Sequence, residues 1–240
     1  MALNPSTAAG RIFGFKSDAI EKDLLFVASM EGNEVISRPF RYDLRLLSAR
    51  VDLDPALMLR QPARLRLKTE APFAGAKGSG TQSIEIHGML SSFEFQELVR
   101  NAGGQNQGAV YRAVLVPRVW RLSLSNRSRG FVEKTVPEIV LSILRESGFE
   151  PEDYSFLKHM IERKEGKYPV RDYVAQHRET DLDFVSRLLE HEGIFYFFDH
   201  RQGRDQIVFR DDVSAQPTTQ GRVDLPFAAL SMDGAAPSSI

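Results

Sequence analysis

The stretch RDYVAQHRETDLDFVSRLLEHEGIFYFFDH, residues 171–200, organises the second half of the chain. It predicts a strand, a capped helix, a glycine stop and an apolar strand. Thr180 stands where a helix N-cap belongs, because its hydroxyl can accept from a free N–H of the first turn. Asp183 makes T-x-x-D, a weaker form of the capping box, and both first-turn acids, Asp181 and Asp183, complement the helix dipole. Gly193 ends the helix, since a residue without Cβ turns left-handed there at no steric cost.

The segment after this helix is apolar at every position. Residues 194–198 read IFYFF, which is too short for a membrane span and too unbroken for a half-exposed strand. We therefore expect this strand to be buried on both faces. Residues 199–205 predict a polar hairpin loop around Gly203, and residues 206–210 predict the returning strand.

The composition is that of an ordinary globular chain. It has 240 residues, 42% hydrophobic and 26% charged, enough for one large domain or two modest ones. The net charge of −1 predicts neither a nucleic-acid-binding field nor attraction to anionic lipid. The chain has no cysteine, which excludes disulfide scaffolds, thiol catalysis and cysteine-ligated zinc. The N-terminus lacks the basic start and apolar run of a secretory signal, and no apolar run reaches the length of a membrane helix.

Residues 11–125 predict an antiparallel barrel or sandwich, because short alternating segments are joined by glycine-rich loops. Residues 31–34 predict a tight turn, and Pro39 places the start of the strand that follows at an edge or a bulge. Asp54 and Pro55 predict the cap and the first position of a short helix. The predicted strands cover residues 11–16, 24–30, 35–47, 64–69, 84–95 and 111–116.

A second capped helix follows where the composition changes, after Asn126. Thr135 and Glu138 form a T-x-x-E capping box, and the helix ends at Gly148. Its apolar face consists of Ile139, Val140, Ile143 and Leu144. Helix and strand patterns together predict an α+β chain that is mainly β.

The remaining segments are polar. We expect a strand–loop within residues 161–170. The sequence after Val213 is rich in small and turn-forming residues and predicts a loop or tail with one short strand over residues 223–227.

The His191-Glu192 pair invites comparison with the zinc motif H-E-x-x-H. That motif needs a second histidine where this chain has Phe195. We interpret His191 as a solvated residue in the last helical turn, where the helix dipole favours a cation. The other histidines form no ligand pairs at helical spacing; they are His87, His159, His177 and His200. The sequence therefore predicts no metal site and no cofactor.

Two further patterns come close to functional motifs. Gly75 and Gly80 have the spacing of a phosphate-binding loop, but Thr81 replaces the essential lysine, so we interpret the segment as a hairpin loop. A group of five acids could in principle supply the paired carboxylates of a glycoside hydrolase. We interpret these acids as first-turn residues and an exposed helix face. They are Glu179, Asp181, Asp183, Glu190 and Glu192.

Three single residues complete the catalytic candidates. Trp120 stands in a segment that alternates, so it predicts a core or interface anchor on a strand rather than a sugar platform. Ser142 and Ser186 lack the G-x-S-x-G elbow of a nucleophilic serine. No constellation of residues supports an enzyme.

The motif Q-x-R-E-T-D-L-D-F-V-S-R-L-L-E-x-E-G-I-F-Y-F-F at residues 176–198 resembles the signature of the VgrG spike proteins of type VI secretion, which are relatives of the baseplate hub of contractile phage tails. The resemblance extends over nearly the whole chain. Further matching motifs are G-x-E-x-x-S-x-P-F-x-Y-x-L at 32–44, H-G with a later F at 87–93, YRAVLVPRVWRLSL at 111–124 and KTVPEI at 134–139.

The chain departs from the family pattern at three points. Arg60 stands where a glycine is usual, and Phe131-Val132 stands where F-Q is common, so local turns could differ. Full VgrG chains continue through a second barrel, a small OB-like domain and a trimeric β-helix needle. We therefore expect a fragment or a truncated relative.

The resemblance implies an architecture and a mechanical role without catalysis. Residues 1–125 would form the first β-barrel, residues 126–212 an inserted α/β unit with two capped helices, and residues 213–240 a linker or tail leading toward a second barrel. Such a hub trimerises when full length, docks onto a hexameric tube of haemolysin-coregulated protein and carries effector or adaptor proteins. It meets membranes by mechanical puncture alone and has no nucleic-acid partner. It stays in the bacterial cytoplasm before firing and is then secreted through the injection machine, without a signal peptide.

Two alternatives stay open. The first is a baseplate hub of a phage or phage-like tail, which shares the fold and differs in its partner. The second is a glycan hydrolase delivered by such a machine, which would need acids of the cluster to converge in a cleft.

Overall fold

The computed structural model describes residues 13–21, 24–59, 61–69, 82–162 and 168–212. Within these residues, the first part of the chain forms a six-stranded sheet and one short helix. The elements are β1 (Phe13–Ser17), β2 (Phe26–Asn33), β3 (Arg41–Ser48), α1 (Pro55–Met58), β4 (Pro62–Thr69), β5 (Gln82–Arg100) and β6 (Asn106–Val116).

Period-2 alternation builds this sheet, as the sequence predicts. In β3 the side chains of Tyr42, Leu44 and Leu46 are buried, while Arg41 and Arg45 are exposed. The buried side chains of β3 join those of the neighbouring strands in a first core. α1 begins as predicted, with the Asp54 carboxylate accepting from the backbone N–H of Ala56 and with proline at the first helical position.

The sheet is antiparallel, in the order β1-β4-β5-β6-β3-β2, and it curls into a half-barrel. Within the described residues β1 and β2 are its edge strands, and Cα atoms of the two approach within 8 Å across the seam. β5 is 19 residues long and carries bulges opposite β6, which let one strand bend around the core. The predicted class, a mainly-β α+β fold that opens with an antiparallel barrel-like unit, is confirmed.

The turn between β2 and β3 lies later than predicted. Residues 31–34 do not turn, because β2 continues to Asn33, and the chain reverses near Ser37, whose φ is 62°. Gly32 does not form the predicted turn and has a packing role instead. A Cβ at this position would lie 2.1 Å from the Tyr42 ring, so glycine makes room for the aromatic side chain on the neighbouring strand.

The position of Pro39 also differs from the prediction. β3 begins at Arg41, so the proline precedes the strand and takes no place in the ladder. β3 lies between β6 and β2 and is therefore an interior strand.

Trp120 lies on a 3-10 helix (Arg118–Leu124), where the sequence predicts a strand. β6 ends at Val116, and Val119 and Leu122 are buried at a spacing of three. That spacing matches one turn of a 3-10 helix rather than the alternation of a strand. Trp120 itself is half-buried.

The second part of the chain combines two small sheets with helices. β10 pairs antiparallel with β11, β11 pairs parallel with β8, and β7 and β9 form a separate antiparallel ribbon. The elements are β7 (Asn126–Lys134), α2 (Val136–Glu146), a 3-10 turn (Pro151–Asp153), β8 (Tyr154–Ser155), α3 (Lys158–Ile161), β9 (Arg171–Thr180), α4 (Asp181–His191), β10 (Phe195–Asp199) and β11 (Gln206–Arg210).

The two long helices begin at the predicted caps. In α2 the capping box is complete: Glu138 Oε2 accepts from the backbone N–H of Thr135 over 2.8 Å, and the Thr135 hydroxyl accepts from that of Glu138. In α4 the Thr180 hydroxyl accepts from the N–H of Asp183 over 3.0 Å and donates to its carboxylate over 2.6 Å. The T-x-x-D sequence thus caps the helix through its threonine.

Glycines end both helices, as predicted. Gly148 has a φ of 77° and Gly193 a φ of 69°, the left-handed conformation of a helix stop. The apolar faces of α2 and α4 pack with β10 and β11 in a second core. Four side chains of α2 in this core are fully buried, and each burial stabilises by about 1.5–3 kcal/mol; they are Ile139, Val140, Ile143 and Leu144.

The apolar strand β10 is not buried on both faces. Ile194, which precedes it, and Tyr196 are buried, whereas Phe195, Phe197 and Phe198 are half-buried. β10 pairs only with β11 within the described residues, so it is an edge strand, not an interior one.

Three further predicted segments either differ from the structure or lie outside the described residues. Ile161 ends the short helix α3, and residues 168–170 are irregular, so the strand expected within residues 161–170 is absent from the described part of that segment. The loop at 75–81 and the strand at 223–227 lie outside the described residues.

Candidate functional site at the junction of the two cores

The β10–β11 hairpin joins the second core to the first. Phe198 packs against both cores, and its ring meets that of Phe40 edge-on, with 5.2 Å between centroids. Phe40 immediately precedes β3 and is buried in the first core. Edge-to-face aromatic pairs contribute about 0.5–1.5 kcal/mol beyond the area they bury. The hairpin is therefore shared hydrophobic structure and not an exposed loop.

Two hydrogen bonds accompany this aromatic contact. The backbone N–H of Ser37 donates to the carbonyl of Tyr196 over 2.8 Å, which ties the β2–β3 turn to β10. The backbone N–H of His87, on β5, donates to Nδ1 of His200 over 3.1 Å. Both bonds cross from the half-barrel to the hairpin, and they fix its orientation as well as its position.

The hydrogen bond to Nδ1 assigns the tautomer of His200. Because Nδ1 accepts, the ring proton of the neutral side chain is on Nε2, which is buried and has no hydrogen-bond partner among the described residues. Burial lowers the pKa of His200 below its usual value. Burial also lowers the pKa of His87, against the attraction of Glu85. The junction is thus built around neutral imidazoles.

A buried ion-pair network supports the base of the hairpin. The Arg118 guanidinium donates to Asp205 over 2.6 Å and to Asp153 over 2.8 Å, and both carboxylates are almost fully buried. Burial is the largest influence on Asp153 and raises its pKa, but hydrogen bonds from Arg118 and from the Glu150 backbone, together with the charges of Arg118 and Arg204, outweigh burial and lower that pKa. Arg118 lies two residues after the end of β6, so this network couples the last strand of the half-barrel to the hairpin.

A second network lies at the start of α4. Asp181 is 1% exposed and accepts from the Arg129 guanidinium and the Gln176 side-chain amide, each over 2.9 Å. The Ser125 hydroxyl donates to its other oxygen over 2.7 Å. This acid therefore joins β7, β9 and α4 in addition to complementing the helix dipole.

The five acids that lie close together in the sequence do not converge on a common site. Four have partners of their own: Glu179 pairs with Arg187, Asp181 with Arg129, Asp183 with the Thr180 hydroxyl, and Glu192 with Arg171. Glu190 is exposed. Asp181 and Asp183 lie in the first turn of α4 and Glu190 is exposed, as the sequence predicts. Asp181 is in addition a buried network residue, which its sequence pattern does not reveal.

The structure brings together two histidines that the sequence leaves apart. The rings of His87 and His200 stack with 6.2 Å between centroids, although the residues are far apart in the chain. His191 lies in the last turn of α4 with its side chain 70% exposed, as predicted. His159 contacts Asp211 over 2.7 Å, and His177 is exposed on β9. Among the described residues, no His, Asp and Glu side chains are grouped as three or more metal ligands.

The remaining catalytic candidates are two serines, Ser142 on α2 and Ser186 on α4. Ser142 donates to the carbonyl of Glu138 over 2.8 Å and accepts from Lys134 over 3.0 Å. Ser186 is half-buried on α4. No helix in the described part of the chain has the length and apolar character needed to cross a bilayer.

Aromatic packing, two directional hydrogen bonds and the Arg118 ion-pair network thus join a half-barrel to an α/β unit. A sequence profile of the phage tail baseplate hub (GPD) family matches residues 33–238. The chain belongs to this family. The resemblance indicated by the sequence motifs is confirmed.

Relatives in this family include spike proteins of type VI secretion. The spike protein VgrG5 of Pseudomonas aeruginosa is 37% identical over 194 residues, which cover 81% of this chain and 22% of VgrG5. The spike protein VgrG1b of the same organism is 31% identical over 227 residues, which cover 95% of this chain and 27% of VgrG1b. The chain thus spans roughly a quarter of the length of these family members.

A solved structure supports the same fold. The E. coli c3393 protein, a component of the type VI secretion system with structural similarity to the T4 bacteriophage tail proteins gp27 and gp5, matches with a TM-score of 0.64 and 29% identity. The match covers 84% of this chain and 50% of that protein. The residues of the joint, from Ser37 to Asp205, lie within the stretch 33–238 that the hub family matches.

Proposed function

We propose that this chain is the opening part of a structural hub in a type VI secretion spike. The family match over residues 33–238 carries the proposal, and the likeness to the c3393 protein supports it. In this role the chain trimerises together with the rest of the hub, docks onto a hexameric tube protein and carries effector or adaptor proteins. It acts in the cytoplasm before firing and leaves through the injection machine.

The proposed role is mechanical and not enzymatic. A hub that is driven through a membrane needs parts that keep their relative orientation under load. The contacts of Phe198 with both cores and the Arg118–Asp205 ion pair supply such rigidity. The proposed division is a first barrel over residues 1–125, an α/β unit over 126–212, and a linker over 213–240. The presence of two hydrophobic cores supports two units, although Val119 and Leu122 pack in the second core.

A phage or phage-like tail hub is the second candidate. The likeness of c3393 to T4 tail proteins favours this alternative, since hubs of both machines share one fold. The two candidates differ in the tube protein that the hub contacts.

Native mass spectrometry of the 240-residue chain tests the proposal. The chain is measured alone, with a hexameric type VI tube protein, with a phage tail tube protein, and with an unrelated hexamer of similar mass as control. We expect the chain to form a complex with the type VI tube protein and not with the unrelated hexamer. Preference for the phage tube would favour the second candidate. A chain that binds neither tube, or binds the unrelated hexamer equally well, would contradict the docking role.

A further inference from the structure

The outer face of β1, β4 and β5 is rich in positively charged side chains. Strand register places Lys16 beside Arg64, and Arg64 beside His87. The next outward-facing row on these strands holds Arg66 and Glu85. Although the whole chain has a net charge of −1, this face carries a local excess of cations.

A single carboxylate lies within the cationic rows. Glu85 accepts from Arg64 over 2.9 Å through one oxygen and from Arg66 over 2.6 Å through the other. Both of its oxygens are therefore engaged, and one negative charge is shared by two guanidinium groups. Because both arginines are only partly buried, further donors of each remain accessible to a partner.

Neither of the two lysines of this face has such a partner among the described residues. Lys16 on β1 and Lys68 on β4 are exposed, and within the described residues no carboxylate lies at ion-pair distance from either. Along β4 the cations Arg64, Arg66 and Lys68 occur at every second position. They therefore repeat at about 6.6 Å on one side of the strand, the spacing of alternate side chains in an extended chain.

A cavity at one end of the face would accept a single side chain. Its volume is about 220 Å³, and Lys16, Arg64 and His87 contribute to its lining. Asp18 and Gly203 also lie on its wall, so the cavity borders the hairpin of the second unit. The one acid of this wall, Asp18, is exposed.

We propose that the outer face of β1, β4 and β5 is a docking surface for an extended acidic segment of a partner protein. The carboxylates of such a segment, placed at alternate positions, would match the cations along β4, and one acidic side chain would enter the cavity beside Lys16. Guanidinium groups suit carboxylates because they offer planar, bidentate donors. The spacing of about 6.6 Å along β4 is that of alternate side chains in an extended peptide, which favours a peptide segment as the occupant. Peptide binding and tube binding are measured separately, so a failure of this proposal would leave the proposed hub role intact.

Fluorescence anisotropy tests the proposal directly. The probe is a fluorescein-labelled peptide of about six Glu-Ser repeats, and its neutral isostere is a peptide of the same number of Gln-Ser repeats. We expect the 240-residue chain to bind the acidic peptide and not the neutral one, with an affinity that falls as salt rises. The double variant Lys16→Glu/Lys68→Glu should weaken binding by about tenfold or more.

A matched double variant controls for net charge. Arg145→Glu/Lys158→Glu changes the total charge by the same amount at two exposed positions on α2 and α3, outside the proposed face, and should leave the affinity within about twofold of wild type. Circular dichroism checks that both variants are folded. Equal binding of the acidic and neutral peptides, or equal losses in both double variants, would overturn the proposal. So would a thymidine oligonucleotide of equal charge that displaces the peptide at lower concentration, since the face would then be a nucleic-acid site.

Discussion

The backbone N–H of His87 donates to Nδ1 of His200 over 3.1 Å, across the boundary between the two cores. This bond requires an unprotonated Nδ1, because a nitrogen that carries a proton cannot accept. The attachment of the hairpin to the half-barrel therefore depends on a neutral imidazole in a buried position. The titratable groups around His200 lie on the turn, the hairpin and β5, and they are Glu34, Asp199, Asp205 and His87.

Acidification should weaken the fold through His200. Burial lowers its folded-state pKa below the ordinary value of 6.5, so the unfolded chain binds a proton that the folded chain excludes. The stability that neutral His200 contributes is then fully present above pH 6.5, and it is lost as the pH falls from there toward the folded-state pKa. For this one group, the free energy of unfolding changes by at most about 1.4 kcal/mol per pH unit. Urea unfolding between pH 5 and 8 measures this slope, and we expect a shallower one in His200→Gln.

His177→Gln is the matched control for this experiment, because it removes one imidazole from an exposed position on β9. A slope that is equally steep in wild type and in His200→Gln would show that the junction histidine does not govern the response to acid.

Gly88→Ala should be severely destabilising. A Cβ at this position would lie 2.3 Å from the carbonyl oxygen of Val116 on β6, so backbone would have to move. We expect a loss of about 3 kcal/mol in the free energy of unfolding, at the upper end of overpacking effects. Gly14→Ala is the control, since its Cβ would meet Arg66 at an ordinary 3.7 Å. Equal stabilities of the two variants would contradict the close approach of β5 to β6.

Asp181→Ala should cost about 2–3 kcal/mol of stability, because it leaves Gln176 and Ser125 without their acceptor and removes one of the two carboxylates that pair with Arg129. Thermal and urea unfolding measure the loss. Asp183→Ala, two positions further along the same helix turn, removes an exposed acid and should cost about 1 kcal/mol or less. Similar losses in the two variants would show that the buried network adds little.

Gly193→Val should destabilise by about 1–3 kcal/mol through backbone strain alone. The φ of Gly193 is 69°, and a Cβ there would meet no atom within 4 Å, so the cost does not arise from crowding. Asparagine tolerates the left-handed conformation better than valine does, and Gly193→Asn should therefore cost less. A thermal melt unchanged by the valine would mean that the helix stop does not depend on this conformation.

Local patterns were sufficient to predict the elements around the capped helices. Thr135, Thr180, Gly148 and Gly193 act through atoms within a few residues of themselves, so their positions in the sequence carry the information. The errors occur where a distant neighbour decides the conformation. Gly32 predicts a turn when it is considered alone, but it makes room for Tyr42 on the next strand.

The junction could not be predicted because its contacts join residues that are distant in sequence. His87 and His200 belong to different units, and no local signal distinguishes His200 from the exposed His177. Asp181 has the appearance of an ordinary first-turn acid, and its burial depends on Arg129 and Gln176 approaching from β7 and β9.

The sequence by itself determined the family, the mainly-β character of the first unit and the limits of α2 and α4, because motif order, alternation and capping are local properties. Only the tertiary structure decided that β10 is an edge strand shared by two cores, that Asp181 is buried, and that Lys16 and Lys68 share one cationic face. Burial and charge clustering depend on which strands become neighbours, and that pairing is set by the folded sheet.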